Sequence, residues 1–200
     1  MELWYAPTSP FARKVRVAAH ELGVADAIQL VEVDPWTDPR LRNLNPLAKV
    51  PTLVLDDGEI VWESGLIAER LDALSGAPAL FPPAGTERWR ALSLQALADG
   101  ACTAAGRLYA DERRPSEARS ETMLARFRQA IDASLDHLES VELRSSPTIG
   151  EVSAGALLGY LDFRWPDREW RTNRPSLAAW FDDFERRASM AQTAHRFPAG

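Results

Sequence analysis

The stretch Lys49-Val50-Pro51-Thr52-Leu53-Val54-Leu55-Asp56-Asp57-Gly58-Glu59-Ile60-Val61-Trp62-Glu63-Ser64 decides the fold of this 200-residue chain. Pro51 to Leu55 and Glu59 to Trp62 are two short strand-like runs joined by a turn containing Asp57-Gly58, the best short-range hairpin signal in the sequence. Ser64 then caps a helix that turns Ile67, Leu71 and Leu74 inward, with Gly76 beyond its end. Upstream, Glu2 to Tyr5 reads as a strand ending at Ala6-Pro7-Thr8. Ser9-Pro10 is an N-cap and N1 pairing, and Phe11, Val15, Ala18 and Leu22 fall on one helical face before Gly23. Ile28 to Val33 reads as a second strand, whereas the proline-bearing stretches Asp34 to Arg40 and Asn45-Pro46 bracket a short segment that does not read as one helix. The resulting order is strand, helix, strand, short helix, strand, strand, helix: a small mixed sheet with helices packed on it.

Past this segment the strand signals stop. Gly, Pro and Ala accumulate between Ser75 and Gly85, and the chain then turns Ala- and Leu-rich with helical spacing. A domain of residues 1–76, a linker over 77–85 and an all-helical domain of residues 86–200 are expected, because composition and periodicity change at the same place. Helices are expected over Glu87 to Asp111, Glu117 to Glu139 and Ser176 to Arg187, and Thr148-Ile149-Gly150-Glu151 fits a capping box opening one that runs to about Arg164.

With 46% hydrophobic and 26% charged residues there is ample material for a packed core. The net charge of −6 argues against a nucleic-acid groove, since phosphate contacts need an excess of Lys and Arg. Cys102 is the single cysteine, so no intrachain disulfide can form and redox chemistry would need an outside thiol; on a helix it reads as a small buried filler. His20, His137 and His195 share no metal-like spacing, and no metal is expected. The absence of a signal segment and of a long apolar run implies no membrane partner and a cytoplasmic location.

Three places could carry chemistry. Ser9 puts a hydroxyl at a helix N-terminus, where unpaired N–H groups and the dipole favour a negative charge such as a thiolate, although a lone Ser-Pro is more often only a cap. At Lys49-Val50-Pro51, a cis bond before the proline would free the backbone of Val50 to pair with an extended peptide. Glu63-Ser64, between a strand and a helix, offers a carboxylate for an amine and a hydroxyl with helix N–H groups for a carboxylate; the bland alternative is again a capped helix.

Taken together, Ser9-Pro10-Phe11 with Arg13 and Lys14, Asn45-Pro46 to Val50-Pro51-Thr52-Leu53, and Glu63-Ser64 resemble the N-terminal domain of the glutathione S-transferases. Thr148 to Glu151 followed by Leu158 to Arg164 is similar to the capping-box helix of that family's second domain, so the resemblance spans nearly the whole chain. It implies a thioredoxin-like βαβαββα domain followed by a helical bundle, glutathione as co-substrate, and a homodimer. Ser9 would hold the thiolate, Val50 ahead of a cis Pro51 would pair with the cysteinyl part, Glu63 and Ser64 would take the γ-glutamyl end, and Lys49 would face a carboxylate. The thiolate would attack an electrophilic small molecule, by conjugation or isomerisation, in a pocket lined by Phe11, Trp36, Arg107 and Tyr109, as in detoxification. A non-catalytic binding module on the same fold is the alternative, and a thiol-disulfide oxidoreductase is disfavoured because serine cannot form a mixed disulfide.

Overall fold

A computed structural model describes residues 1–76 and 80–198; part of the expected linker, residues 77–79, lies outside these. Strands β1 (Glu2–Tyr5), β2 (Gln29–Glu32), β3 (Thr52–Val54) and β4 (Ile60–Trp62) form one sheet in the order β2-β1-β3-β4. The β1–β2 pair is parallel, and β1–β3 and β3–β4 are antiparallel. Helices α1 (Pro10–Glu21), α2 (Pro39–Leu44) and α3 (Ser64–Leu74) complete the βαβαββα arrangement. Among the described residues after 85 the regular elements are helices: α4 (Thr86–Asp111), α5 (Glu121–Ser140), α6 (Ile149–Arg164), α7 (Pro175–Glu185) and α8 (Ala188–Gln192).

Strand β1 alternates as a half-buried strand should, whereas β2 at the sheet edge has no buried residue. Leu3, Leu53 and Val61 stand opposite one another across β1, β3 and β4 and are buried, together with Tyr5, beneath α1 and α3. Ala12, Val15 and Ala19 of α1 and Ile67 and Leu71 of α3 close this core. Each fully buried aliphatic side chain contributes about 1.5–3 kcal/mol. A second core lies among α4, α5, α6 and α7, and Val17 and Ala18 of α1 belong to that one. Helix α1 is therefore buried on two faces.

At the middle of the second core, every residue of α6 from Ile149 to Leu161 is buried. Close approach at its start needs Gly150, where an added Cβ would lie 2.8 Å from Leu94 Cβ and 3.0 Å from the Ala91 carbonyl oxygen of α4. The capping box is present: Thr148 accepts from Gly150 N, and Glu151 accepts from Thr148 N at 2.9 Å. Fully buried Glu151 also accepts from Arg90 Nη1 at 3.0 Å, which joins α6 to α4.

Several boundaries differ from the sequence reading. The unassigned segment contains α2, capped by Asp38, which accepts from Arg40 N. Helix α5 begins at Glu121, not Glu117, because Ser120 accepts from Met123 N and caps it there, after a 3-10 turn over Ser116–Ala118. Helix α7 spans Pro175–Glu185, and the unanticipated α8 follows. Leu74, expected inward, is 46% exposed at the end of α3, where Gly76 takes φ +72 and ends the helix as expected. Ser64 is the first helical residue and makes no capping bond; Glu63 holds the cap position.

Replacing Glu151 with alanine removes one partner of a buried ion pair and the cap of the most buried helix. The expected outcome is a loss of about 3 kcal/mol in unfolding free energy, read as a lower urea midpoint at unchanged m-value.

Candidate functional site

The strand register places the three sequence candidates at one end of the sheet. Trp4, Thr52 and Trp62 are aligned across β1, β3 and β4. The chain leaves β1 towards Ser9, enters β3 from Val50-Pro51 and leaves β4 into Glu63-Ser64, all beyond that aligned row. Two strand spacings separate the first from the last, about 10 Å. An extended tripeptide spans about the same distance.

Ser9 caps α1: its Oγ accepts from Ala12 N at 3.2 Å, and its own N–H donates to the Ala6 carbonyl at 3.0 Å. The Ser9 hydroxyl proton is thus free to point outward while the oxygen stays tied to the helix. The Val50-Pro51 bond is cis. The loop before it is held by buried Asn45, whose Nδ2 donates to the Lys49 carbonyl and to Thr52 Oγ1, both at 3.1 Å, while its Oδ1 accepts from Leu47 N at 3.0 Å. Lys49 itself is exposed. Glu63 takes φ +77, a conformation that costs a non-glycine residue about 1–3 kcal/mol. Its side chain is exposed beside buried Ser64, whose Oγ donates to Glu63 Oε1 at 3.4 Å.

Helix α4 contributes residues that sequence reasoning missed. Lys14 of α1, 1% exposed, donates to both carboxylate oxygens of Asp99 at 2.7 and 2.8 Å. Burial pushes the Asp99 carboxyl upward and the Glu63 carboxylate adds to this, against the opposing pull of Lys14. Asp99 thus lies close enough to sense the exposed Glu63 carboxylate, while its own charge is met by Lys14; Glu63 is the carboxylate left at the α3 end of the site. Gln95 lies there too, since an added Cβ on Gly65 would lie 2.2 Å from its Nε2. No motif marks Asp99; only the charge of Lys14 on a buried face of α1 hinted that an acid must meet it.

On the Ser9 side the walls come from α6 and the C-terminal segment. Arg164 Nη2 reaches the Thr8 carbonyl at 3.5 Å. His195 lies against the same loop, its Nδ1 3.1 Å from the Pro7 carbonyl, and its ring stacks on Phe163 with centroids 5.0 Å apart. Burial, reinforced by the Arg13 guanidinium, drops the His195 pKa to about 3, so the neutral ring donates Nδ1–H to Pro7. Arg13 is itself buried and donates to the Met190 carbonyl at 3.2 Å. Of the expected acceptor-site residues, Tyr109 lies here, with the Arg164 guanidinium 4.1 Å from its ring centroid. Phe11 is half-buried against the helical core, Arg107 is exposed on α4, and Trp36 is 92% exposed in the β2–α2 connection. Cys102 is buried, and burial pushes its thiol upward, away from any nucleophilic role. Among the described residues no helix is long and apolar enough to cross a membrane.

Comparison with known proteins matches residues 8–74 to the family model for the glutathione S-transferase N-terminal domain and residues 117–183 to that for the C-terminal domain. A curated relative, the uncharacterized GST-like protein YibF of Escherichia coli strain K12, is 32% identical over 96% of this chain and 98% of its own. The crystal structure of a glutathione transferase family member from Pseudomonas fluorescens Pf-5 with bound glutathione superposes with a TM-score of 0.93 at 39% identity, covering 98% of this chain and 99% of that one. A second structure from that organism, with bound S-(propanoic acid)-glutathione, gives 0.89 at 38% identity over 98% and 100%.

The depressed pKa of His195 has a pH signature. The unfolded chain takes up its proton near pH 6.5 and the folded chain only near 3, so this contribution to stability is complete above pH 6.5 and is lost as pH falls. Between pH 6.5 and 5, unfolding free energy should fall with a slope approaching 1.4 kcal/mol per pH unit. A His195→Phe variant should flatten that slope in urea titrations at stepped pH; an unchanged slope assigns it to other groups.

Proposed function

The chain belongs to the glutathione S-transferase family, and we propose that it binds glutathione and activates its thiolate for attack on an electrophilic small molecule. The observation that carries this reading is the alignment of Ser9, Val50 and Glu63-Ser64 at one end of the sheet, over a span that fits an extended tripeptide. In this reading the cysteinyl backbone pairs with Val50, as a short added strand. The γ-glutamyl carboxylate takes the Ser64 hydroxyl and the uncapped N–H groups of α3, and its amine takes Glu63 with Asp99 nearby. Lys49, exposed beside them, faces a glutathione carboxylate.

The sulfur then lies at Ser9, at the N-terminus of α1. A free thiol ionises near pH 8.5, and lowering that by about two units makes it mostly thiolate at neutral pH, at about 2.7 kcal/mol. A hydroxyl donor together with the positive end of a helix has that capacity. Serine at this position forms no disulfide, which favours transfer over thiol exchange. The sulfur-substituted glutathione held by the second Pseudomonas structure is the kind of product such an attack leaves. The lone buried Cys102 suits a reducing cytoplasm.

We further infer a two-fold dimer. Trp62 at the end of β4, Leu66 on α3 and Trp89 on α4 are 39%, 56% and 71% exposed, large apolar side chains of the kind an interface covers. Light scattering should give twice the chain mass, and Leu66→Glu should shift it towards monomer; a monomeric parent protein removes the inference.

Two variants separate binding from activation. By titration calorimetry, Glu63→Ala should weaken binding of reduced glutathione by about 1–3 kcal/mol. Ser9→Ala should keep most of that affinity but raise the pKa of the bound thiol, followed by thiolate absorbance. Equal thiol pKa in both proteins would reduce Ser9 to a cap, and no binding to the parent protein would favour a non-catalytic module.

A further inference from the structure

The acceptor side of the site is dominated by an arginine whose charge the protein does not neutralise. Arg164 ends α6, and its guanidinium meets the carbonyl of Thr8, the residue before Ser9. Three aromatic rings surround it, with centroids at 4.1 Å for Tyr109, 4.8 Å for Phe163 and 5.2 Å for Tyr160. A second guanidinium, that of Arg113, lies 3.2 Å from the Tyr109 centroid. Nearby arginines behave differently: Arg128 and Arg168 pair with Glu112, and Arg171 pairs with Asp162. Among the described residues Arg164 and Arg113 have no carboxylate partner, and the buried Nε of Arg164 has no hydrogen-bond partner at all.

Aromatic faces hold a guanidinium by its flat surface and leave its in-plane N–H donors for other partners; here Nη2 reaches the Thr8 carbonyl and Nε stays unpartnered. Such a group, fixed by stacking and short of acceptors, is preorganised for a planar anion that accepts two parallel hydrogen bonds. The loop that presents Ser9 lies against it in space, through the Thr8 carbonyl.

We propose that Arg164, with Arg113 behind the shared Tyr109 ring, selects acceptors that carry a carboxylate, and that the acceptor class is the small α,β-unsaturated acids. This rests on the glutathione reading above. In the step, the glutathione sulfur forms a bond to the β-carbon, the π electrons of the double bond move to the α-carbon, and that carbon takes a proton from water. Nothing leaves and nothing is oxidised; the product is a thioether acid. An ionised acid is a poor target for a thiolate because the two anions repel and because further negative charge builds next to the carboxylate in the transition state. A guanidinium on that carboxylate offsets both, more strongly in the transition state than in the ground state.

The test uses two stable adducts of the same size, S-(2-carboxyethyl)glutathione with an anionic, acceptor-only end and its neutral amide S-(2-carbamoylethyl)glutathione, titrated calorimetrically into the purified protein. The wild type should bind the acid about 10-fold or more tightly than the amide, the scale of one charge-assisted contact. Arg164→Met should erase the preference while still binding reduced glutathione, and Arg164→Lys should recover part of it. Equal affinity for the two adducts in the wild type overturns the proposal without reference to any variant, as does a preference that survives Arg164→Met. Failure to bind glutathione itself would instead overturn the reading on which it rests.

Discussion

The double burial of α1 is the constraint on which the rest of the molecule depends. One face closes the sheet core through Ala12, Val15 and Ala19, and another enters the helical core through Val17 and Ala18. A helix in that position has little solvent left for its charges, so each must find a partner inside: Lys14 takes Asp99 and Arg13 takes the Met190 carbonyl. These two contacts bind α1 to α4 and α8, and so fix the angle at which the two layers meet. Because Ser9 stands at the first turn of this helix, the same packing that holds the molecule together aims its hydroxyl.

The rest of the site follows from strand register. Three connections leave the sheet at the same end because β3 runs against both β1 and β4, and a slip of one residue would bury the polar set and expose the apolar one. Asn45 then does locally what the sheet does globally, since its amide spans Lys49 and Thr52 and holds the intervening loop to one shape. This edge of the sheet is thus shaped largely by backbone held in place by one side chain.

Local chemistry was legible in the sequence wherever it acted within a few residues. The Asp57-Gly58 hairpin, the Ser9-Pro10 start of α1 and the Thr148 to Glu151 capping box all lie where their short-range signals put them. What depended on distant partners was hidden. Asp99 and Arg164 are ordinary charged helical residues until α1 and the Thr8 loop come beside them. Ser64 read as a cap because its type favours one, yet the chain turns at Glu63 instead, in a backbone conformation that no propensity scale assigns to glutamate. The start of α5 was misplaced because Ser120, inside the expected helix, caps it at Glu121 after a separate 3-10 turn.

Glu63 also bears on how such a protein can be improved in the laboratory. With φ +77 and an exposed carboxylate, it is a position where glycine relieves backbone strain without opening a cavity. A library selected only for heat resistance would therefore drift there towards glycine, and the stability gained would remove the carboxylate that the proposed reading gives to the ligand amine. On the proposed reading, the residue marks a point where thermal selection and ligand selection pull the sequence in opposite directions.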